Sequence, residues 1–363
     1  MRGTNEEQDG VFSYRSAGDR VPEDHPLRRV KQITVGLLKE MSRDFSQMYS
    51  RVGRPSIPPE KLLRALLLQY LYSIRSERLL MEELDYNLLF RWFVGLSIDD
   101  EVWDHSTFSK NRERLLEHEI VGKFFDRVCA YAEQAGLLSD EHFTVDGTLI
   151  EAWASQKSFR PKDGDSEGGG TEGSGRDEDV DYRGQKRSNA THESKSDPEA
   201  RLYKKSKGAE ARLCYMGHVL MENRNGLAVD AMVSIASGTA EQEAALMMVG
   251  ELPGGHRITV GTDKAYDQAG CVQGLRQLNA TPHVAQKKKG SALDARTVRH
   301  VNYRISMQVR KRVEEIFGWA KTVGIQRKTR FRGTSRVGLS FLLSLAAYDL
   351  RRIGNLMAQV ATT

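Results

Sequence analysis

Cysteine is scarce in this 363-residue chain: Cys129, Cys214 and Cys271 stand far apart, with no C-x-x-C pair among them. That spacing excludes a disulfide framework and a cysteine-built zinc site, and it fits a reducing, cytoplasmic setting. No histidine cluster offers a soft metal site instead. No apolar run approaches the roughly 20 residues of a membrane-spanning helix. The opening MRGTNEEQDGVF is too acidic and polar for a secretory signal. No membrane partner is expected. What remains, 39% hydrophobic and 28% charged residues, describes a soluble globular chain with length for two domains or one large one.

Acidic charge is missing from one stretch in particular. Residues 284–332 hold 14 Lys/Arg against Asp294, Glu314 and Glu315, a local net of +11 in a chain whose total is only +5. A block this basic reads as a polyanion-binding surface, against the plainer reading of a solvated Lys/Arg-rich helix with loops.

Residues 1–24 lack hydrophobic period and read as a disordered tail, and residues 357–363 read as a short tail at the other end. Between them, residues 25–137 read as an all-α region. Leu27, Val30, Leu37, Met41, Phe45 and Met48 recur at three- and four-residue steps. Further helices are expected over Pro59–Ser73, Glu77–Phe90 and Ile120–Ala135, with another capped by Ser106. A helix-turn-helix-like element that recognises DNA and a plain bundle that braces the rest are equally compatible with this pattern.

From residue 138 to 356 the pattern becomes α/β. HFTVDGTLIEAW predicts a strand, a turn and a second strand; Asn225-Gly226 between two apolar runs predicts a β-hairpin. RITVGTD and ATPHVA alternate with helical segments, which implies a mixed sheet with flanking helices, closed by a helix from Gly338 to Met357. Residues 157–202 interrupt this pattern. Six of the twelve residues from Gly164 to Gly175 are glycine, so a flexible, acidic insertion is expected there.

Three acids draw the eye. Asp146 and Asp263 each close a short apolar, β-branched run, as a carboxylate at a strand end does. Glu314 lies in MQVRKRVEEIFGWAK, read as one short helix, flanked by Arg310 and Lys321 at four- and seven-residue spacing, hence on one stripe. The bland alternative is a surface ion pair at helical spacing, and Glu315 competes as the third acid. Asp267 reads as a turn acid. His105, His218 and His283 stand alone and read as structural; Trp153 and Trp319 suit either core packing or stacking on bases.

Two strand aspartates followed by a helix glutamate resemble the DDE triad of bacterial insertion-sequence transposases with a ribonuclease H-like core. Arg310, Glu314 and Lys321 match that family's R-x3-E-x6-K motif, although Met307 stands where the family pattern carries tyrosine. RVGRPSIPPEKLLRALLLQYLYSIRSERLLMEELDYNLLFRWFVGL, LCYMGHVLMENRNGL, TPHVAQ and KTRFRGTSRVGLSFLLSLAAYDLRR are similar to its other segments, so the resemblance spans His25 to Leu356.

The resemblance implies a ribonuclease H-like sheet and a transposase that binds terminal inverted repeats, cuts them and joins the ends to target DNA. It also implies a cytoplasmic, nucleoid-associated bacterial protein acting on double-stranded DNA, with a homodimer at synapsis. Asp146, Asp263 and Glu314 are then the catalytic metal ligands, for two Mg²⁺ ions about 3.5–4 Å apart with Mn²⁺ as a substitute. Arg310 and Lys321 would contact phosphates beside the scissile bond. Lys287, Lys288, Lys289, Arg327, Lys328, Arg330 and Arg332 would track the DNA backbone. Two alternatives are a nuclease of this fold without strand transfer and a non-catalytic transposase-derived DNA-binding protein; a helical scaffold is a remote third.

Overall fold

The structure, a computed structural model, describes residues 16–49, 56–162, 180–182, 185–204 and 208–360. Its first half is helical: α1 (Ala17–Arg20), α2 (Pro26–Glu40), α3 (Ser42–Met48), α4 (Pro59–Leu71), α5 (Glu77–Tyr86), α6 (Leu88–Val94), α7 (His105–Glu117) and α8 (Ile120–Gln134). Proline opens α2 and α4, where its missing N–H costs nothing. The expected helix over Glu77–Phe90 is instead two. Asn87 accepts from the N–H groups of Leu89 and Phe90 and so starts α6 as a new helix. Likewise α7 is capped by Asp104, which accepts from Ser106 N at 2.8 Å, rather than by Ser106.

The expected N-terminal tail differs in part. Residues 1–15 lie outside the described residues, but Ser16 and Asp19 form a reciprocal capping box on α1, and Val21 is buried.

The second half builds one main sheet and two small strand pairs. Its strands are β1 (His142–Glu151), β2 (Phe159–Pro161), β3 (Val180–Tyr182), β4 (Gln185–Arg187), β5 (His192–Ser194), β6 (Arg201–Tyr203), β7 (Arg212–Glu222), β8 (Ala228–Ile235), β9 (Ile258–Thr262) and β10 (Ala280–Val284). Two small pairs, β2–β5 and β3–β4, stand apart from it. In the six-stranded main sheet β8, β7 and β1 run antiparallel, and β9 and β10 join parallel to β1, in the order β8-β7-β1-β9-β10, with the short β6 also pairing antiparallel with β7. This mixed order is the ribonuclease H-like arrangement. The helices α9 (Ala240–Glu251) and α10 (Ala269–Gln277) cover one face. The other meets α12 (Val301–Val309), α13 (Val313–Thr322) and α14 (Thr334–Val360), with α11 (Ala295–Arg299) packed on α12.

Three strand expectations change. HFTVDGTLIE is one ten-residue strand: Gly147 pairs with His218 without breaking it. The hairpin forms, but across residues 223–227, because the Glu222 carboxylate gathers the N–H groups of Arg224 and Asn225 into a wider loop. The insertion ends sooner than residue 202. Residues 163–179 and 183–184 lie outside the described residues, yet Ser194, Asp197 and Ala200 are buried and β6 pairs with β7. Polar bonds order this stretch where apolar period is absent: Asn189 pairs with Leu202 in both directions, and Glu199 accepts from Thr334 N, capping α14.

The 27-residue α14 packs on α2, α4, α8, α13 and β8. Its buried residues join those of the N-terminal helices in one continuous core, including Leu62, Leu66, Phe124, Phe341, Leu345 and Leu350. The helical region therefore shares its core with the sheet. Among the described residues no helix is long and apolar enough to cross a membrane.

Candidate active site

Strand register brings two of the three acids together. In the parallel pair β1–β9, Thr144 lies opposite Gly261 and Val145 opposite Thr262, so Asp146 and Asp263 are next in line. Strands in a ladder lie about 4.8 Å apart and registered side chains leave the same face, so the two carboxylates are neighbours. Asp146 sits mid-strand rather than at a strand end. Because β9 stops at Thr262 while β1 runs on to Glu151, the pair lies where β1 loses its parallel neighbour.

Both aspartates are half-buried and held by backbone donors. Asp146 accepts from Gly147 N at 2.8 Å, and Asp263 caps a 3-10 turn, Lys264–Tyr266, by accepting from Ala265 N at 2.7 Å. Burial pushes the Asp146 carboxyl up to about 7 against the pull of the Gly147 N–H; Asp263 and Glu241 raise it further, while Arg310 lowers it. A carboxylate so placed is short of positive charge.

Arg310 partly supplies that charge. A β-carbon on Gly261 would lie 3.5 Å from Cβ of Arg310, an ordinary contact distance that places Arg310 directly over β9. The Arg310 Nε is buried without a hydrogen-bond partner among the described residues. Around it the expected continuous helix is interrupted: Arg310–Arg312 form a tight 3-10 turn between α12 and α13. Arg312 ties this turn to the β7–β8 hairpin by donating to the carbonyls of Asn223 (3.0 Å) and Arg224 (2.8 Å).

Glu314 stands on the first turn of α13, exposed. Glu315, its competitor, is turned toward α14, 3.5 Å from Arg352. Among the described residues no three His, Cys, Asp or Glu side chains are gathered tightly enough to hold one ion. The aspartate pair is thus assembled, and Glu314 is not closed upon it.

Two groups near the pair escaped sequence reasoning. Glu241, in the first turn of α9, packs its Cγ and Oε1 3.0 Å from where a Gly147 β-carbon would be. Tyr266 is fully buried, and its hydroxyl has no hydrogen-bond partner among the described residues. Burial holds its phenol well above the usual range, reinforced by Glu241, Asp146, Cys271 and Asp263. An acid opening the helix after a hairpin was a signal for Glu241; nothing in the sequence marked Tyr266.

The other cations separate. Lys321, Arg327 and Lys328 line a cavity of about 540 Å³ with Arg75 and Trp153, whose indole is 55% exposed. Lys328 pairs with Glu151 at 3.1 Å. Arg330 departs from the expected DNA-tracking role: it is spent on internal bonds to Arg75 O (2.8 Å) and Gln69 Oε1 (2.6 Å) and lies against Phe331. Arg332, Lys288 and Lys289 are exposed, while Lys287 bonds to Asp267, whose carboxylate also accepts from Ala292 N and so fixes the 287–292 loop. Trp319 packs edge-on against Tyr348. His218 bonds Ser234 at 2.8 Å and His283 bonds Ser306 at 2.6 Å; burial lowers both imidazoles to about 4.

Residues 15–114 match the family described as "Transposase domain (DUF772)", and residues 139–350 match "Transposase DDE domain". Among solved structures, the cryo-EM structure of a piggyBac transposase synaptic complex with hairpin DNA is similar at 11% identity, covering 92% of this chain and 76% of that one, with a TM-score of 0.44. The match to the DDE domain spans more than half the sequence, and with it this chain belongs to the DDE transposases.

Proposed function

We propose that the chain binds the terminal inverted repeats of an insertion sequence, cleaves them at the acid pair and transfers the freed 3′-ends to target DNA. The observation that carries this reading is the parallel register that sets Asp146 beside Asp263, with the unpartnered Nε of Arg310 above them. Family membership supports phosphoryl transfer on DNA as the reaction class.

The donor set suits a divalent cation such as Mg²⁺ or Mn²⁺. Two hard carboxylates lie side by side, burial leaves Asp146 short of positive charge, and the Tyr266 hydroxyl nearby is unsatisfied. Asp146 and Asp263 would hold it, with Glu314 reaching the site from α13 once DNA is seated. When bound, such ions supply Lewis-acid stabilisation of charge developing on a phosphoryl group.

The chain's own residues do the rest. Arg310 donates its free Nε–H to a non-bridging oxygen of the scissile phosphate, a charge-assisted bond. Lys321, Arg327 and Lys328 neutralise neighbouring phosphates, and half-burial of the aspartates limits the solvent around them. Joining two ends calls for two copies of the chain.

The test replaces Asp146, Asp263 and Glu314 singly by Ala and follows strand cleavage and joined plasmid products with Mg²⁺. Loss of both products in all three variants is expected. Near-normal cleavage by one variant removes that residue from the site, and cleavage by the parent without joining reduces the activity to a nuclease.

A further inference from the structure

A second cavity, also about 540 Å³, opens at the N-terminal ends of β9 and β10, and its chemistry is unlike the acid pair's. Three guanidinium groups line it: Arg257, Arg276 and Arg296. One acid faces them, Asp294, and its carboxylate is already committed. It accepts from Thr297 N at 2.8 Å to cap α11 and bonds Arg276. Among the described residues no acid engages Arg257 or Arg296, and both are exposed. The wall holds the hydroxyl-bearing Thr259 and the imidazole of His283, which burial keeps neutral. Unneutralised guanidinium groups facing one hollow repel each other, and an oxyanion within it turns that repulsion into attraction. Planar guanidinium forks fit phosphate oxygens better than any other side chain does.

Position says which phosphate. Thr259, Gly261 and Asp263 alternate along β9 and so share one face of the sheet, Asp263 being extended (φ −70°, ψ 173°). Thr259 is four residues from Asp263, about 13 Å at roughly 3.3 Å per residue. That is less than half a turn of a DNA duplex, whose turn is about 34 Å. Arg310, on the turn between α12 and α13, packs over the same face between the two places.

We propose that the arginine-lined cavity beside β9 and β10 is a second phosphate site, which grips the backbone of the DNA whose scissile bond lies at the acid pair. The DNA part of this inference rests on the function proposed above; the anion site does not. Contacts here fix the register of the substrate and carry no base information.

The experiment uses the full chain with Arg257→Ala and Arg296→Ala combined, and the corresponding double Lys variant. The first measurement is binding of a labelled transposon-end duplex across a salt series. The Ala pair should bind about tenfold or more weakly at 0.1 M salt, with a slope of log K on log salt shallower by about 1.8, two phosphates at about 0.9 each. The Lys pair, keeping charge, should restore most of that slope. The second measurement titrates inorganic phosphate and follows the imidazole resonances of His283 and His300, both on the cavity wall. Saturable shifts in the parent that vanish in the Ala pair are expected.

An Ala pair with the parent's salt slope overturns the proposal, even where phosphate binds, because the cavity is then off the DNA path. Absence of saturable phosphate shifts in the parent also overturns it. A parent that binds phosphate here but no duplex overturns the proposed function while leaving the anion site standing.

Discussion

On the side of the sheet that meets α9 and α10, the strands β1, β9 and β10 present Phe143, Val145, Ile258, Val260, Ala280 and Val284, all buried with Leu275 and Met248. On the opposite side the same strands present His142, Thr144, Asp146, Thr259, Gly261, Asp263, Thr281 and His283. The two-residue period of a strand separates these sets completely. The apolar side binds through area alone, at about 25 cal/mol per Å² buried. The polar side is organised by bonds: Thr144 to Asn223 at 2.8 Å, and Ser306 of α12 to both His283 and His142. Stability and chemistry are thus carried by alternate residues of the same strands, and changes on the two sides should fail in different ways.

Replacing Asp263 by Ala should have the largest effect, at least ~10³-fold in strand cleavage, since several kcal/mol of charge stabilisation is lost at 1.36 kcal/mol per tenfold. Its melting temperature should stay within a few degrees of the parent's. A variant that unfolds instead would show the polar side to be structural.

A pH series on metal-free protein sharpens the same contrast. Because the Asp146 carboxyl rises from 3.8 to about 7 in the folded chain, the native state keeps a proton that the unfolded state releases between those values. Stability should therefore fall as pH rises from about 4 to 7 and level off above, by at most about 4 kcal/mol for three units. Asp146→Asn should lack this component, so denaturant curves of the two proteins should converge near pH 4 and separate at pH 8. Parallel curves at all pH values would contradict the burial of this acid.

On the apolar side, Leu220→Ala should cost about 2–5 kcal/mol in chemical denaturation while cleavage per folded molecule changes only a few-fold. Gly261→Ala is smaller. Its β-carbon would lie 3.3 Å from Thr144 Oγ1 and 3.5 Å from Arg310 Cβ, so we expect a stability change under about 1 kcal/mol. Thr144 must give by a few tenths of an ångström while Arg310 stays at ordinary contact distance, so cleavage should fall no more than about tenfold, ~1.4 kcal/mol. Trp153→Ala should do least: no loss of stability for so exposed an indole, and about tenfold weaker single-strand binding at most if bases stack there.

Much of this was legible in the sequence because it depends on local pattern. The boundaries of α8, α10, β7 and β9 follow apolar period and turn residues to within a residue or two, whereas the apolar period that runs unbroken from Leu27 to Met48 hid the break at Met41 between α2 and α3. Asp146 and Asp263 were legible because each ends a run of alternating strand residues, although Asp146 lies mid-strand once β7 extends its pairing. Asn87 was passed over because one polar residue in an amphipathic run looks like surface, and only its bonds to Leu89 and Phe90 show a helix start. The end of the acidic segment misled for a similar reason: residues 188–200 are ordered by polar bonds that leave no hydrophobic period. Tyr266 was out of reach although it follows Asp263 by three residues, since nothing in its own stretch marks it as buried. Glu241 carried only the signal of an acid opening a helix, and its closeness to Asp146 comes from folding across more than ninety residues. Arg330 and Arg327 look alike in sequence, and only packing against Gln69 and Phe331 tells the inward guanidinium from the outward one.

One consequence of α14 reaches beyond the site. Because this last helix is the keel on which both the early helices and the sheet are laid, the chain is not a reading head joined by a hinge to a cutting engine. Severing it near residue 137 should yield two fragments with raw, sticky flanks rather than two working parts. α14 also packs on α13, so the helix that bears Glu314 rests on the same support as α2 and α4.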